Sequence, residues 1–472
     1  MDGRSIAMLR MFINALSASL SRFSERWVPD PMVIATLLTL CTLAMALIFG
    51  NESVRGAPIE TLKLWSGGLW KLLPFAMQMC LVLITGHALA STPLVKRLID
   101  QISTLAQSSR SAVTLTALTA MSAGLINWGL GLIVGAFMAR EVGVRCAQRG
   151  IRLHYPLLGA SGYTGLLVWH GGLSGTAPLK VTQLKDLQDI SSLDTVIPLS
   201  ETLFSSTNIT LIIGIFIFAP LLLNLMNPKT VLGADRWIKL DAQEDSLTNK
   251  DEFKEESLDQ SQNSMSPSAK LESGRLLSLC LGVMIIISSG LCLHELGLSQ
   301  MNLDLINLFA LGLGLSLHPS LASYTKAARE AALSCSGIIL QFPLYSGIMA
   351  VMSGSGITAL LSAMVASVAS AESLSILTFL MAGFVNLFVP SGGGQWAVQG
   401  PLVLESAVAL KASLGEAVIA FAHGDAWTNM LQPFWALPLL AITQLRAREI
   451  VGYSAALMIA LAPWYLIVFW LF

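Results

Sequence analysis

Charged side chains are scarce in this chain: only 12% of its 472 residues are Asp, Glu, Lys or Arg, against 54% that are apolar. That is too little charge to solvate the surface of an ordinary soluble fold. The net charge of −1 leaves neither a basic face for nucleic acid nor an acidic tail, so no nucleic-acid partner is expected. The six cysteines, Cys41, Cys80, Cys146, Cys280, Cys292 and Cys335, form no C-x-x-C pair and no zinc spacing. A disulfide framework and a metal cluster are thereby excluded, and the thiols read as small apolar fillers. The motifs G-x-S-x-G, H-E-x-x-H and G-x-x-x-x-G-K-[ST] are missing as well, so an enzyme is not expected and neither is a cofactor. What remains is an all-α polytopic membrane protein whose first partner is the lipid bilayer.

A hydrocarbon core takes about 20 apolar residues per helix. On that criterion nine crossings fall near 31–50, 66–90, 155–177, 203–226, 276–297, 301–318, 332–352, 415–445 and 452–472. Residues 1–28 carry periodic apolar positions and several arginines without a long apolar core. They predict an amphipathic segment lying at the interface, not a cleaved signal. The organisation that follows is a first repeat over 29–226, a polar cytoplasmic linker over 227–275, a connecting helix over 276–300, and a second, inverted repeat over 301–472. The acidic and polar composition of the linker fits a disordered segment.

Two further apolar stretches, 111–139 and 373–398, are broken in their middles by Asn, Gly and Pro. Arg110 precedes the first, and Arg140, Arg145, Arg149 and Arg152 follow it. Basic residues favour the cytoplasmic side, so both flanks are expected there and the stretch dips in and returns. The flank at 353–372 has no Lys or Arg, and that at 399–414 has only Lys411. The second stretch is therefore a re-entrant hairpin from the other face, with the N-terminus cytoplasmic.

A shift of 259 residues takes Asn127 onto Asn386 and Gly165 onto Gly424. Inverted repeats with broken elements in matching places are the sequence pointer to a transport site at the midplane. Non-helical backbone at membrane depth is tolerated where protein buries it or where it lines a polar cavity. The tip "VPSGGGQW" offers free amides and carbonyls, and glycine lets a ligand approach the backbone. Two crossings have polar, breakable middles: "VWHGGLSGTAPL" with His170, Ser174 and Thr176, and "FAHGDAWTNM" with His423, Asp425, Thr428 and Asn429. Intramembrane ionisable groups face a cavity or a partner. The plainer readings are that "GLIVG" at Gly131 to Gly135 serves helix packing, that Asp425 caps a helix segment, and that His170 is a structural donor.

The whole chain resembles the short-chain fatty acid transporter family, through "WVPDP" at Trp27 to Pro31, "NWGLGLIVGAFMAREV", "YTGLLVWHGGLSGTAPL", "QFPLYSGIMAVM" and "VPSGGGQWAVQGP". The resemblance implies a carrier in the bacterial inner membrane that takes up small monocarboxylates such as acetoacetate or butyrate. It also implies the two-hairpin architecture of a wider ion-transporter group, and a homodimer.

Such a substrate has one anionic head and a short apolar tail. Asn127, Asn386, Ser391, Gln395 and the amides of Gly392, Gly393 and Gly394 could supply donors, with Trp128, Trp169 and Trp396 as the wall. Gly129, His170, Thr428 and Asn429 complete the expected site. The coupling ion is left between Na⁺, on hairpin carbonyls with Ser174 or Thr176 near the tips, and a proton on His170, His423 or Asp425. A di- or tricarboxylate symporter of the same architecture, or an anion channel, are the competing readings.

Overall fold

Proline opens several helices of this chain: Pro31, Pro58, Pro93 and Pro267 each stand at the first residue of one. At that position the missing N–H costs nothing and the fixed φ is already helical. Serine and threonine supply other starts. Ser108, Ser205, Ser320 and Ser413 each accept a hydrogen bond from the backbone N–H three residues on, as N-caps do.

The computed structural model describes residues 3–27, 31–71, 73–188, 193–228, 231–238, 266–296, 303–357, 360, 364, 367–388, 392–432 and 435–472. No strand occurs among them. The first half carries α1 (Gly3–Trp27), α2 (Pro31–Phe49), α3 (Pro58–Gly68), α4 (Leu73–Ala90), α5 (Pro93–Thr104), α6 (Ser109–Ile126) and α7 (Trp128–Gln148). It continues with α8 (Tyr155–Gly162), the short α9 (Gly165–Val168), α10 (Thr176–Lys180), α11 (Leu184–Gln188) and α12 (Ser206–Leu225). After α13 (Pro267–Ser273) come α14 (Arg275–Leu296), α15 (Leu303–Leu317), α16 (Leu321–Ser334) and α17 (Ser336–Gly354). The chain ends with α18 (Leu374–Asn386), α19 (Gly392–Leu410), α20 (Leu414–Thr428), α21 (Leu437–Thr443) and α22 (Ala447–Leu471).

Among the described residues three single helices, at 206–225, 275–295 and 447–471, are long and apolar enough to cross a bilayer; the pair 76–90 and 93–104, bent by 69°, adds a fourth if it is one broken span. The expected crossings near 31–50 and 332–352 are each a single helix of 19 residues, α2 and α17, and others are built from shorter helices and breaks. The run expected at 66–90 is divided between α3 and α4, and the run at 415–445 between α20 and α21. The amphipathic α1 packs on α22, where Gly452 lets the backbone of Ser21 come into contact.

The halves exchange partners. Helix α2 packs on α17, and α4 on α15, so the first helix of each half lies on the second helix of the other. Residues related by the 259-residue shift make similar close backbone approaches. A β-carbon on Gly165 would stand 2.8 Å from the carbonyl oxygen of Ala120, and one on Gly424 would overlap that of Phe379, the shifted position. A β-carbon on Gly124 would stand 2.5 Å from the carbonyl oxygen of Gly165, and one on its counterpart Gly383 would stand 3.3 Å from that of Gly424. Glycine is required where helix backbones approach this closely. In the same way Gly131 and Gly135 pack on Gly124 and Gly162, which is the packing role expected of "GLIVG".

Candidate functional site

Helix α6 stops at Ile126 because Asn127 adopts extended backbone, φ −153° and ψ 132°. Its side-chain Oδ1 then accepts from the N–H of Leu130 at 3.0 Å and starts α7. A second first-turn donor of α7, the N–H of Trp128, is taken by Ser174 Oγ at 3.0 Å. The two arms fold back on each other, with Gly131 against Gly124 and Gly135 against Ala120. In the second half α18 and α19 do likewise, tied where Gln395 Nε2 donates to the carbonyl of Ala382 at 2.8 Å.

Beside each folded pair runs a helix interrupted by a single 3-10 turn, Trp169–Gly171 after α9 and Asn429–Leu431 after α20. The freed polar groups are bound both across the halves, by Tyr163, and within the second half, by Asn386 and Gln432. Tyr163 Oη faces the carbonyl oxygens of Asn429 and Gln432 at 3.0 and 2.8 Å, and it donates its proton to this pair. Gln432 Nε2 donates to the carbonyl of Asn386 at 2.6 Å. The Asn386 amide nitrogen faces the carbonyl of Asp425 at 2.7 Å, Asn429 Oδ1 at 2.9 Å and Thr428 Oγ1 at 3.0 Å. Three acceptors around one NH₂ fix its orientation and leave Asn386 Oδ1 without a donor.

At the centre His170 Nδ1 lies 2.6 Å from Asp425 Oδ2, both side chains essentially unexposed. His170 Nε2 accepts from the backbone N–H of Ala177 at 3.1 Å, with Thr176 Oγ1 also at 3.1 Å. A backbone amide can only donate, so Nε2 is bare and the ring proton sits on Nδ1, directed at the carboxylate. Asp425 thus lies in the last turn of α20 as the partner of a histidine, and its described side-chain bond goes to that ring, not to a helix-end amide. Among the described residues it is the one buried carboxylate, and no lysine or arginine is buried.

His423, two residues before Asp425 on the expected "FAHGD" stretch, reaches Asn208 Oδ1 through Nε2 at 2.7 Å. Asn208 itself donates to the carbonyls of Gly171 and Leu203 at 2.9 and 2.7 Å. Those two bonds orient the amide, so His423 donates from Nε2 and keeps an unpartnered Nδ1.

A cavity of about 10 Å³, room for about one water, opens beside the pair; Trp128, Leu166, Trp169, Thr176, Gly392, Asn429 and Trp435 line it. Trp169 stacks on His170 at 4.3 Å between centroids, and Trp128 meets Trp435 edge to face at 5.2 Å. A β-carbon on Gly392 would stand 2.7 Å from Trp169 and 2.9 Å from His170 Cε1 and Thr176 Oγ1.

The structure therefore brings together Trp128, His170, Thr176, Asn386, Gly392, Asp425, Thr428 and Asn429, with His423 close behind. Gly129 packs on Val82 of α4, away from the cavity. Gly393, Gly394 and Gln395 lie in the first turn of α19, and Trp396 packs on Phe421 inside a separate apolar cluster. Ser391 lies outside the described residues. Tyr163, Asn208, Gln432 and Trp435 were not singled out from sequence. For Asn208 the signal was available, a lone amide in the apolar run "NITLIIGIFIF".

Paired fold-back helices and interrupted helices converging on one buried polar cluster define a polytopic membrane protein of transporter type. The chain belongs to the short-chain fatty acid transporter family, whose family model matches residues 12–472. A protein of Escherichia coli (strain K12), provisionally named a short-chain fatty acid transporter, is 39% identical over 93% of this chain and 96% of its own length. A protein of Haemophilus influenzae with the same provisional name is 34% identical over 96% of this chain and 99% of its own. Among solved structures, the YdaH transporter of Alcanivorax borkumensis aligns over 93% of this chain and 98% of its own, at 14% identity and a TM-score of 0.45. MtrF of Neisseria gonorrhoeae, presented as one of a class of antimetabolite efflux pumps, aligns over 97% of both chains at 15% identity and a TM-score of 0.41. Scores at that level carry no conclusion about this fold.

Proposed function

We propose that this protein takes up small monocarboxylates, of the size of acetoacetate or butyrate, by cation-coupled symport and alternating access, as a homodimer in a bacterial inner membrane. The observation that carries this reading is the lining of the central cavity: three tryptophans and a leucine face a few neutral polar groups, Thr176 and Asn429. An apolar tail fits the rings, and a single carboxylate head is served by hydroxyl and amide donors where no buried lysine or arginine is described. A substrate with two or three carboxylates would bring more charge than that donor set can satisfy. The cavity is closed to about one water, so loading requires the hairpin tips and broken helices to part. In this reading 111–139 and 373–398 are re-entrant hairpins entering from opposite faces.

The test is uptake of labelled butyrate into proteoliposomes, with imposed Na⁺ or proton gradients and with succinate as competitor. Saturable, gradient-driven uptake that unlabelled butyrate and acetoacetate inhibit, and succinate does not, is expected. Equal inhibition by succinate would transfer the assignment to a dicarboxylate symporter, and non-saturating flux to a channel.

A further inference from the structure

Several orphaned acceptors surround the break in the second half: Asp425 Oδ1, Asn386 Oδ1, His423 Nδ1 and the side-chain oxygens of Gln395 and Gln432 are buried and lack a donor, and of these only the carboxylate and the imidazole take a proton readily. We infer that the coupling ion is a proton and that it binds on Asp425 Oδ1, with His170 as the residue that positions the carboxylate. This rests on the transport reading above and names the ion and the atom.

The hydrogen bonds decide among the atoms that could take a proton. His170 is closed on both sides: Nδ1–H is given to Asp425 Oδ2, and Nε2 is occupied by the Ala177 amide. Near the tips Ser174 Oγ accepts from the Trp128 N–H and Thr176 Oγ1 donates to the bare His170 Nε2, so both hydroxyls are held in this network, and an imposed Na⁺ gradient tests them as ligands. Protonating His423 Nδ1 would create a buried cation with only Asn208 and the ring of Tyr465 described beside it. Protonating Asp425 Oδ1 does the opposite, since it removes the one buried carboxylate charge and leaves the Nδ1–H bond to Oδ2 in place. Burying an uncompensated charge is the costlier course.

Among the described residues no lysine, arginine or second carboxylate is buried beside the pair. The titratable side chains of this region are His170 itself, His423 on the same helix as Asp425, Tyr163, whose hydroxyl binds the carbonyls of Asn429 and Gln432, and Tyr465, whose ring meets His423. Helices α18 and α19 face it with Asn386, Gln395 and Gln399, and α12 with Asn208; Lys180, at the end of α10, is exposed.

The step balances simply. Water on the loading side gives up a proton, an O–H bond forms on Asp425, and the substrate enters as its anion. On the other side that O–H bond breaks, the proton returns to water, and the anion leaves with it, so the loaded carrier moves no net charge. The pair is placed to report its state to the moving parts: Asn386 holds the main chain of Asp425, and Gly392 lies under His170.

The experiment uses the full chain in proteoliposomes, following butyrate by label and protons by a trapped pH dye, with protein-free liposomes subtracted. Wild type is expected to move protons with butyrate in fixed proportion, independent of Na⁺. Asp425→Asn is expected to lose that proton movement in whatever butyrate exchange remains, and Asp425→Glu to restore it. Infrared difference spectra of the unmodified protein should also show a carboxyl that gains a proton on acidification, absent in Asp425→Asn. That measurement decides the assignment even if the variant is inactive. Butyrate movement driven by Na⁺ alone, undiminished proton movement in Asp425→Asn, or an unchanged infrared band would overturn the assignment of ion or atom. No carrier-mediated butyrate movement in wild type would instead overturn the transport reading itself.

Discussion

The amide of Asn208 on α12 joins three elements, accepting from His423 Nε2 at 2.7 Å while donating to the carbonyl of Gly171 at 2.9 Å. It is the link by which a plain apolar helix holds the break of one half against the broken helix of the other. Asn208→Leu strands the His423 donor and two buried carbonyls. At about 1–3 kcal/mol for each group left unsatisfied, thermal unfolding in detergent should move down markedly, and uptake should fall with it. Unchanged stability would show that the bond is not made in solution.

Gly392 has no room for a methyl group, because Trp169, His170 and Thr176 all press on the position a β-carbon would take. Gly392→Ala should raise the KM for butyrate or abolish uptake. Gly290, which has nothing within 4 Å, is the control, and Gly290→Ala should behave as wild type. Equal kinetics in the two variants would remove the tip of α19 from the site.

Trp435 closes one wall of the cavity against Trp128. Trp435→Ala should therefore shift preference toward longer chains, measured as the uptake of hexanoate relative to butyrate. An unaltered ratio would mean that the substrate tail lies elsewhere.

If 111–139 is re-entrant, its flanks share a side of the membrane. In a chain freed of its native cysteines, Leu105→Cys and Gln148→Cys, both at exposed positions, should be labelled from the cytoplasmic face by an impermeant thiol reagent. Labelling from opposite faces would turn the hairpin into a crossing and undo the inverted repeat.

At the start of α8, outside the expected crossing, His154 Nδ1 accepts from the Leu232 N–H at 3.3 Å and Nε2 meets Tyr453 Oη at 3.0 Å. Burial pushes its imidazole down from 6.5 to about 4. The unfolded chain takes up this proton near pH 6.5 and the folded protein only near pH 4, so the contribution to stability is whole above 6.5 and is lost as the pH falls toward 4. His154→Gln should flatten the acid side of the melting-temperature profile, by up to about 3 kcal/mol at its foot. A profile parallel to wild type would place this ring in contact with water.

The sequence by itself determined the class of protein and the break at Asn127, and it suggested the register that relates the halves. These are consequences of local chemistry: apolar runs must be helical in lipid, while asparagine, proline and runs of glycine interrupt them wherever they stand. It also nominated His170 and Asp425, because ionisable groups in apolar runs are conspicuous. Only the tertiary structure decided that those two are each other's partners, that Asn208 and Tyr163 hold the breaks, that Trp435 lines the cavity while Trp396 does not, and that Gly392 is the glycine without space. Such pairings join residues more than 200 positions apart, as from His170 to Asp425 or Asn208 to His423. They follow from which helix faces meet once backbones pack glycine against glycine, and neither periodicity nor hydropathy along one strand of sequence encodes that meeting.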